Sequence, residues 1–203
     1  MAGDAMNEIV RLVAALSIAC LPIACSSPAA PAASPPLEGA RIGGPFALTN
    51  QNGQKVTERA LLGRYAIVYF GYTSCPDVCP VDMQNIGAGL RTFEKSDPAL
   101  GAKVVPVFVS VDPERDTPAV LKQFVGAFHP RTIGLTGSPE AIAAAAKSYA
   151  VYFKKGEVTS NGGYMMDHSR VAYLMSPEGK PIALLPSDKS GDAVAADLKR
   201  WVR

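Results

Sequence analysis

AIVYFGYTSCPDVCP, residues 66–80, joins a β-branched and aromatic run to a bend that carries two cysteines. Ala66-Ile67-Val68-Tyr69-Phe70 is short and apolar throughout, which reads as a strand buried on both faces. Gly71, Pro76 and Pro80 then turn the chain, and residues 81–95 take up helical spacing. Cys75 and Cys79 therefore fall between a central strand and a helix N-terminus. Free amide N–H groups and the helix dipole favour a thiolate there. The bend is expected to bind a soft metal or to exchange electrons.

Outward from that bend, the sequence alternates strands with helices. Upstream, Phe46-Ala47-Leu48 runs through Asn52-Gly53 to Gln54-Lys55-Val56, a hairpin within residues 42–63. Downstream, Val81, Ile86, Leu90 and Phe93 mark the helix, although Gly87 and Gly89 weaken the pattern. Lys103–Val111 is a second central strand, and the turn after it leads to a helix capped by Thr117 or Asp116 and reaching about Phe128. Ile133–Thr136 is a short strand, and Ser138 caps an alanine-rich helix to about Tyr149. Val151–Lys155 reads as strand and residues 156–163 as a loop. Asp167–Met175 and Ile182–Leu185 read as a hairpin around Pro177-Glu178-Gly179, and Ser190–Val202 as a closing helix. This order predicts an α/β, thioredoxin-like fold with an N-terminal β-hairpin extension, occupying residues 42–203.

The 203 residues suffice for one well-buried domain. A formal charge of +2 with no dense basic stripe argues against nucleic acid as a partner. Residues 1–25 resemble an export leader: the run from Leu12 to Ala24 is apolar or small and shorter than the roughly 20 residues of a membrane span. Cys25 and Cys20 each follow a small residue, as at a bacterial lipoprotein cleavage site; an uncleaved anchor and plain secretion are the alternatives. Residues 26–41, rich in proline, alanine and serine, read as a semi-extended tether. The expected location is a bacterial cell envelope, membrane-tethered and facing the periplasm.

With two of the four cysteines in the leader, the folded part keeps only Cys75 and Cys79, and is no disulfide scaffold. A structural bridge closing so short a loop would contribute only about 2 kcal/mol, so a reactive pair is favoured over an inert staple. As metal ligands, two thiolates suit Cu(I), zinc or iron–sulfur chemistry. They cannot complete a cluster, and structural zinc wants four ligands, so copper fits the inventory best. As a redox pair they would cycle between dithiol and disulfide. Peroxidase chemistry, suggested by Thr73-Ser74-Cys75-Pro76, has the wrong threonine spacing. His168, beside a glycine-rich loop, could swing onto a bound ion or simply be a surface histidine, whereas His129 reads as structural. Met165 and Met166 read as packing residues despite their soft sulfur. Asp167 is either a carboxylate orienting His168 or a solvated acid, Asp112 and Asp116 are turn and cap residues, and Asp77 faces solvent or a partner. Arg170 could offset the charge of two thiolates around Cu(I).

GYTSCPDVCP at 71–80, VSVDPERDTP at 109–118 and DHS at 167–169 together resemble the Sco/SenC proteins that assist assembly of cytochrome c oxidase. The resemblance spans about residues 42–203. It implies a thioredoxin-like fold in which Cys75, Cys79 and His168 hold copper, as Cu(I) and with Cu(II) left open. The implied role is a metallochaperone, without turnover of a small molecule, that supplies copper to the binuclear centre of cytochrome c oxidase subunit II or another copper-accepting protein. The alternative it implies is a membrane-tethered thiol–disulfide oxidoreductase that keeps the acceptor's cysteines reduced through Cys75 and Cys79.

Overall fold

The computed structural model describes residues 34–203. The leader expected over residues 1–25, with Cys20 and Cys25, and the start of the tether lie outside the described residues. Leu37 is half-buried and its amide donates to the Ile182 carbonyl at 3.0 Å. The chain thus meets the domain ahead of Ile42. Strands β1 (Ala47–Asn50) and β2 (Lys55–Thr57) form the expected hairpin. The Asn50 side chain closes its turn by accepting from the amides of Asn52 and Gln54. A single 3-10 turn, Glu58–Leu61, leads to β3 (Tyr65–Gly71). Next come α1 (Val78–Ser96), the one-turn α2 (Pro98–Gly101) and β4 (Val104–Ser110). They are followed by α3 (Pro118–Gly126), β5 (Ile133–Thr136) and α4 (Pro139–Ser148). The chain ends through β6 (Phe153–Lys155), β7 (Met166–His168), β8 (Ala172–Met175), β9 (Pro181–Leu185) and α5 (Gly191–Trp201).

Seven strands form one sheet in the order β2-β1-β5-β4-β3-β8-β9, while β6 and β7 pair as a separate two-stranded ribbon. β3, β4 and β5 are parallel, and β8 returns antiparallel beside β3. All seven residues of β3 and all seven of β4 are buried, as strands covered on both faces must be. Alternation along β3 sends Tyr69 toward α1, where it meets Asp82, and Phe70 to the other face, against Tyr149 at the end of α4. This is the mixed α/β, thioredoxin-like layer anticipated from the sequence, and the hairpin extends it by pairing β1 antiparallel to β5.

Helix α1 begins at Val78, three residues before the expected start. Pro80 is tolerated in its first turn because the missing N–H has no intrahelical partner there. Gly87 and Gly89 mark close packing: a Cβ at Gly89 would lie 2.7 Å from Gly191 O and from Val194. The strand expected over Asp167–Met175 is broken at residues 169–171. His168 thereby ends the ribbon strand β7, while β8 starts afresh in the main sheet.

Candidate functional site

The carboxyl ends of β3 and β4 meet the N-terminus of α1, and the two cysteines lie at that junction. Cys75 precedes the helix, its amide donating to Tyr72 O at 3.3 Å. Cys79 occupies the first turn, and its amide donates to Cys75 Sγ at 3.4 Å. Both are free thiols, Cys75 7% and Cys79 0% exposed. Gly71 makes room for the inner one: a Cβ there would stand 3.0 Å from Cys79 Sγ, from Phe108 and from Tyr69.

Burial pushes the Cys79 thiol well up, and the neighbouring Cys75 adds to the effect. Burial acts upward on Cys75 as well, but the amides of Cys79 and Asp77 outweigh it, and the net direction is down. The pair is therefore asymmetric, with an outer sulfur disposed to be thiolate and an inner one disposed to be thiol.

His168 reaches this pair from β7, whose register sets it opposite Phe153 of β6. Its Nε2 lies 3.3 Å from Cys79 Sγ, and its Nδ1 lies 3.1 Å from the Ser169 carbonyl. A carbonyl can only accept, so the proton sits on Nδ1, and Nε2 presents its lone pair to the sulfur. Burial lowers the proton affinity of the ring and agrees with this neutral tautomer. Tyr69 and Tyr72 set their rings edge-on to it, at 6.3 and 5.9 Å between centroids.

Two sulfurs and an imidazole are a soft donor set matched to copper or zinc rather than to magnesium or calcium. Ligands of one ion, with sulfur at about 2.3 Å and nitrogen at about 2.0 Å, stand about 3.6 Å apart. Among the described residues no group of three or more His, Cys, Asp or Glu side chains is already spaced around an ion. Cys79 Sγ and His168 Nε2 alone are within a few tenths of an ångström of that separation.

The other polar residues singled out by sequence have varied fates. Asp167 is exposed, and the ring donates its Nδ1–H to the Ser169 carbonyl instead. Asp77 is exposed, as expected. Thr117 caps α3, while Asp116 is fully buried and accepts from Thr73 N, Thr73 Oγ1 and Ser110 Oγ, bracing the loop ahead of Cys75. Asp112 is no simple turn residue: it binds Arg115 and accepts from Tyr164 Oη, tying the loop ahead of β7 to the end of β4. Met166 is buried, whereas Met165 is half-exposed and its Sδ lies 3.7 Å from Tyr72 Oη. Arg170, a cation that could offset the charge of the sulfurs, is paired with Asp82. His129 is buried against Glu94, near the C-terminal end of α1 rather than at the cysteines.

Sequence reasoning missed Asp82, Tyr69 and Tyr72. A signal for Asp82 existed, since it is a carboxylate on the buried stripe of α1 that also carries Cys79, Met83, Ile86, Leu90 and Phe93.

The SCO1/SenC family model matches residues 34–203. Among curated relatives, the mitochondrial SCO1 homolog 1 of Arabidopsis thaliana is 49% identical, covering 81% of this chain and 48% of its own. Mitochondrial SCO1 of Saccharomyces cerevisiae is 39% identical, covering 79% and 55%. The chain thus spans about half the length of the curated relatives it matches. Bradyrhizobium japonicum ScoI with copper bound is a structural neighbour at TM-score 0.71 and 45% identity, with 79% of this chain and 99% of that one covered. BsSco, a member of the Sco family of cytochrome c oxidase assembly proteins with a disulfide switch, aligns at TM-score 0.59 and 26% identity over 78% and 92%. The mitochondrial relatives overturn the expected location in a bacterial, periplasm-facing envelope and point to mitochondria.

Proposed function

The chain belongs to the SCO1/SenC family, and from that premise we propose that it is a copper metallochaperone whose cargo is held by Cys75, Cys79 and His168. The observation that carries this reading is the 3.3 Å approach of His168 Nε2 to Cys79 Sγ beside Cys75. Thiolates select Cu(I), and the imidazole supplies a neutral third donor that leaves the charge balance unchanged. Release proceeds by ligand exchange: thiols of the acceptor replace these donors one at a time, starting at Cys75, the sulfur with the greater exposure. The acceptor is cytochrome c oxidase subunit II or another copper-accepting protein. An N-terminal lipid or anchor, with residues 26–41 as the tether, raises the local concentration of the domain at the acceptor's surface. Anaerobic Cu(I) titration of the reduced protein tests the ligand set. Cys75→Ser, Cys79→Ser and His168→Ala are each expected to weaken binding by at least the roughly 10–100-fold that loss of an outer partner costs at metal sites. Unchanged affinity in all three would remove the reading.

The asymmetric thiols favour a second reading, thiol–disulfide exchange. The Cys75 thiolate attacks an acceptor disulfide and forms a mixed disulfide while releasing one acceptor thiolate. Cys79 then displaces the second thiolate, so the acceptor is reduced by two electrons and the protein's own disulfide forms. Under this reading His168→Ala leaves the activity intact, which separates the two.

A further inference from the structure

Three residues after Cys79, α1 turns a carboxylate inward, and Asp82 is 0% exposed. A buried carboxylate is costly unless it is paired and hydrogen-bonded. Asp82 is fully served: Tyr69 Oη donates to Oδ2 at 2.9 Å, Arg170 Nε donates to Oδ2 at 2.8 Å, and a terminal nitrogen of Arg170 donates to Oδ1 at 2.6 Å. Both partners flank His168. Tyr69 sets its ring edge-on to the imidazole, and Arg170 lies two residues beyond it in the chain.

Stability alone does not call for this arrangement, because a buried ion pair is often matched or bettered by apolar residues of the same volume. The guanidinium is 37% exposed and could have stayed in water. What a two-pronged Arg–carboxylate contact adds is geometry, since the planar fork fixes both distance and direction. The elements it joins are α1, which carries Cys79, and the segment that carries His168. The ring's own bond to Ser169 O is local to that segment and sets the tautomer, not the distance from the helix.

We propose that Asp82, through its fork to Arg170 and its bond from Tyr69, is a positioning residue that sets where His168 stands relative to Cys79, and so governs copper retention rather than thiol chemistry. The proposal rests on the copper reading above. Arg170→Met removes the fork from the partly exposed end and should leave the domain folded; Asp82→Asn keeps an acceptor for Tyr69 but loses the ion pair. Each is expected to weaken Cu(I) binding about 10–100-fold, the usual range for partners behind a ligand. The double variant should be no weaker than the worse single one. Arg170→Lys should restore little, having the charge without the fork. Ring signals of His168 in 15N–1H spectra of the metal-free protein should broaden or split in Arg170→Met. Equilibrium with glutathione, in which the protein's S–S bond forms as glutathione disulfide is reduced to two thiols, should stay close to wild type in every variant. Wild-type Cu(I) affinity in a folded Arg170→Met protein would overturn the proposal, as would equal shifts in copper binding and thiol equilibrium, which would mark a general loosening. If His168→Ala weakens copper binding while Arg170→Met does not, the clamp alone falls. If His168→Ala binds copper as wild type does, His168 is no ligand and the clamp falls with that role, while the copper reading itself falls only if Cys75→Ser and Cys79→Ser are unchanged as well.

Discussion

Both histidines have their proton affinity lowered by burial, and their hydrogen bonds identify the nitrogen that keeps the proton. At His129 the Arg131 amide donates to Nδ1 at 3.3 Å, so Nδ1 is bare and Nε2–H faces Glu94 Oε2 at 3.3 Å. The contact is thus a neutral ring on a carboxylate, with Arg131 supplying the charge partner of Glu94. Burial outweighs the opposing pull of Glu94, and the folded ring takes up its proton at lower pH than the unfolded one. Below about pH 6.5, where an unfolded histidine protonates, the unfolded chain binds more protons than the folded one and stability falls with pH. Above that value both states are neutral and the contribution is flat. His129→Asn, which keeps an acceptor for the Arg131 amide, is expected to shed this part of the acid decline. Urea midpoints measured from about pH 7 to pH 5 check it, and an unaltered slope in the variant would assign the decline to other groups.

Among the elements, α4 ends on a residue poorly suited to its conformation. The amide of Val151 donates to Ala146 O at 2.9 Å and that of Ala150 to Lys147 O at 3.1 Å, the paired bonds of a helix terminated by a left-handed residue. Ala150 holds that position at φ +52°. A Cβ there costs about 1–2 kcal/mol, while glycine gives back about 0.5–1 kcal/mol through the unfolded chain. Ala150→Gly is therefore expected to stabilise the protein by about 0.5–1 kcal/mol, a rise of roughly 1–4 °C in melting temperature. Ala127, which closes α3 at φ −74°, provides the control, since glycine there should lower the midpoint. A fall in both would refute the argument. Local chemistry of this kind is also what made most elements legible. Asn52-Gly53 announces the hairpin, Ser138 caps α4, and the unbroken apolar runs of β3 and β4 mark the sheet's centre. The break at residues 169–171 carried no such mark, because Val171 to Met175 continues the apolar pattern and only pairing with β6 diverts residues 166–168 into the ribbon.

Across the whole molecule, the fold brings together what the chain keeps far apart: 89 positions separate Cys79 from His168, and 88 separate Asp82 from Arg170. The residue types of the candidate ligands could be read from the sequence, since cysteines at a strand–helix bend and a histidine beside a glycine-rich loop each carry a chemical signature. Their supports could not, because Tyr69 looks like any aromatic in a buried strand, and neither Asp82 nor Arg170 reveals its partner until the helix and the segment after β7 are packed. The same long separation gives the copper reading a thermodynamic consequence. Cys75 and Cys79 are near enough in sequence to hold an ion in the unfolded chain, and binding to the unfolded state cancels stabilisation. Only His168, arriving from the other end of the fold, makes retention depend on folding. A ligand at about 100 times its dissociation constant that ignores the unfolded chain adds about 2.7 kcal/mol. For a protein of this length that is a rise of roughly 5–10 °C in melting temperature. Wild type loaded anaerobically with one equivalent of Cu(I) is expected to approach that rise. His168→Ala, brought to the same occupancy, should gain much less, because its two remaining ligands serve both states almost equally. Differential scanning calorimetry of the paired samples decides it: equal shifts would mean that the imbalance does not come from His168, and that the ion is held by the sulfurs alone.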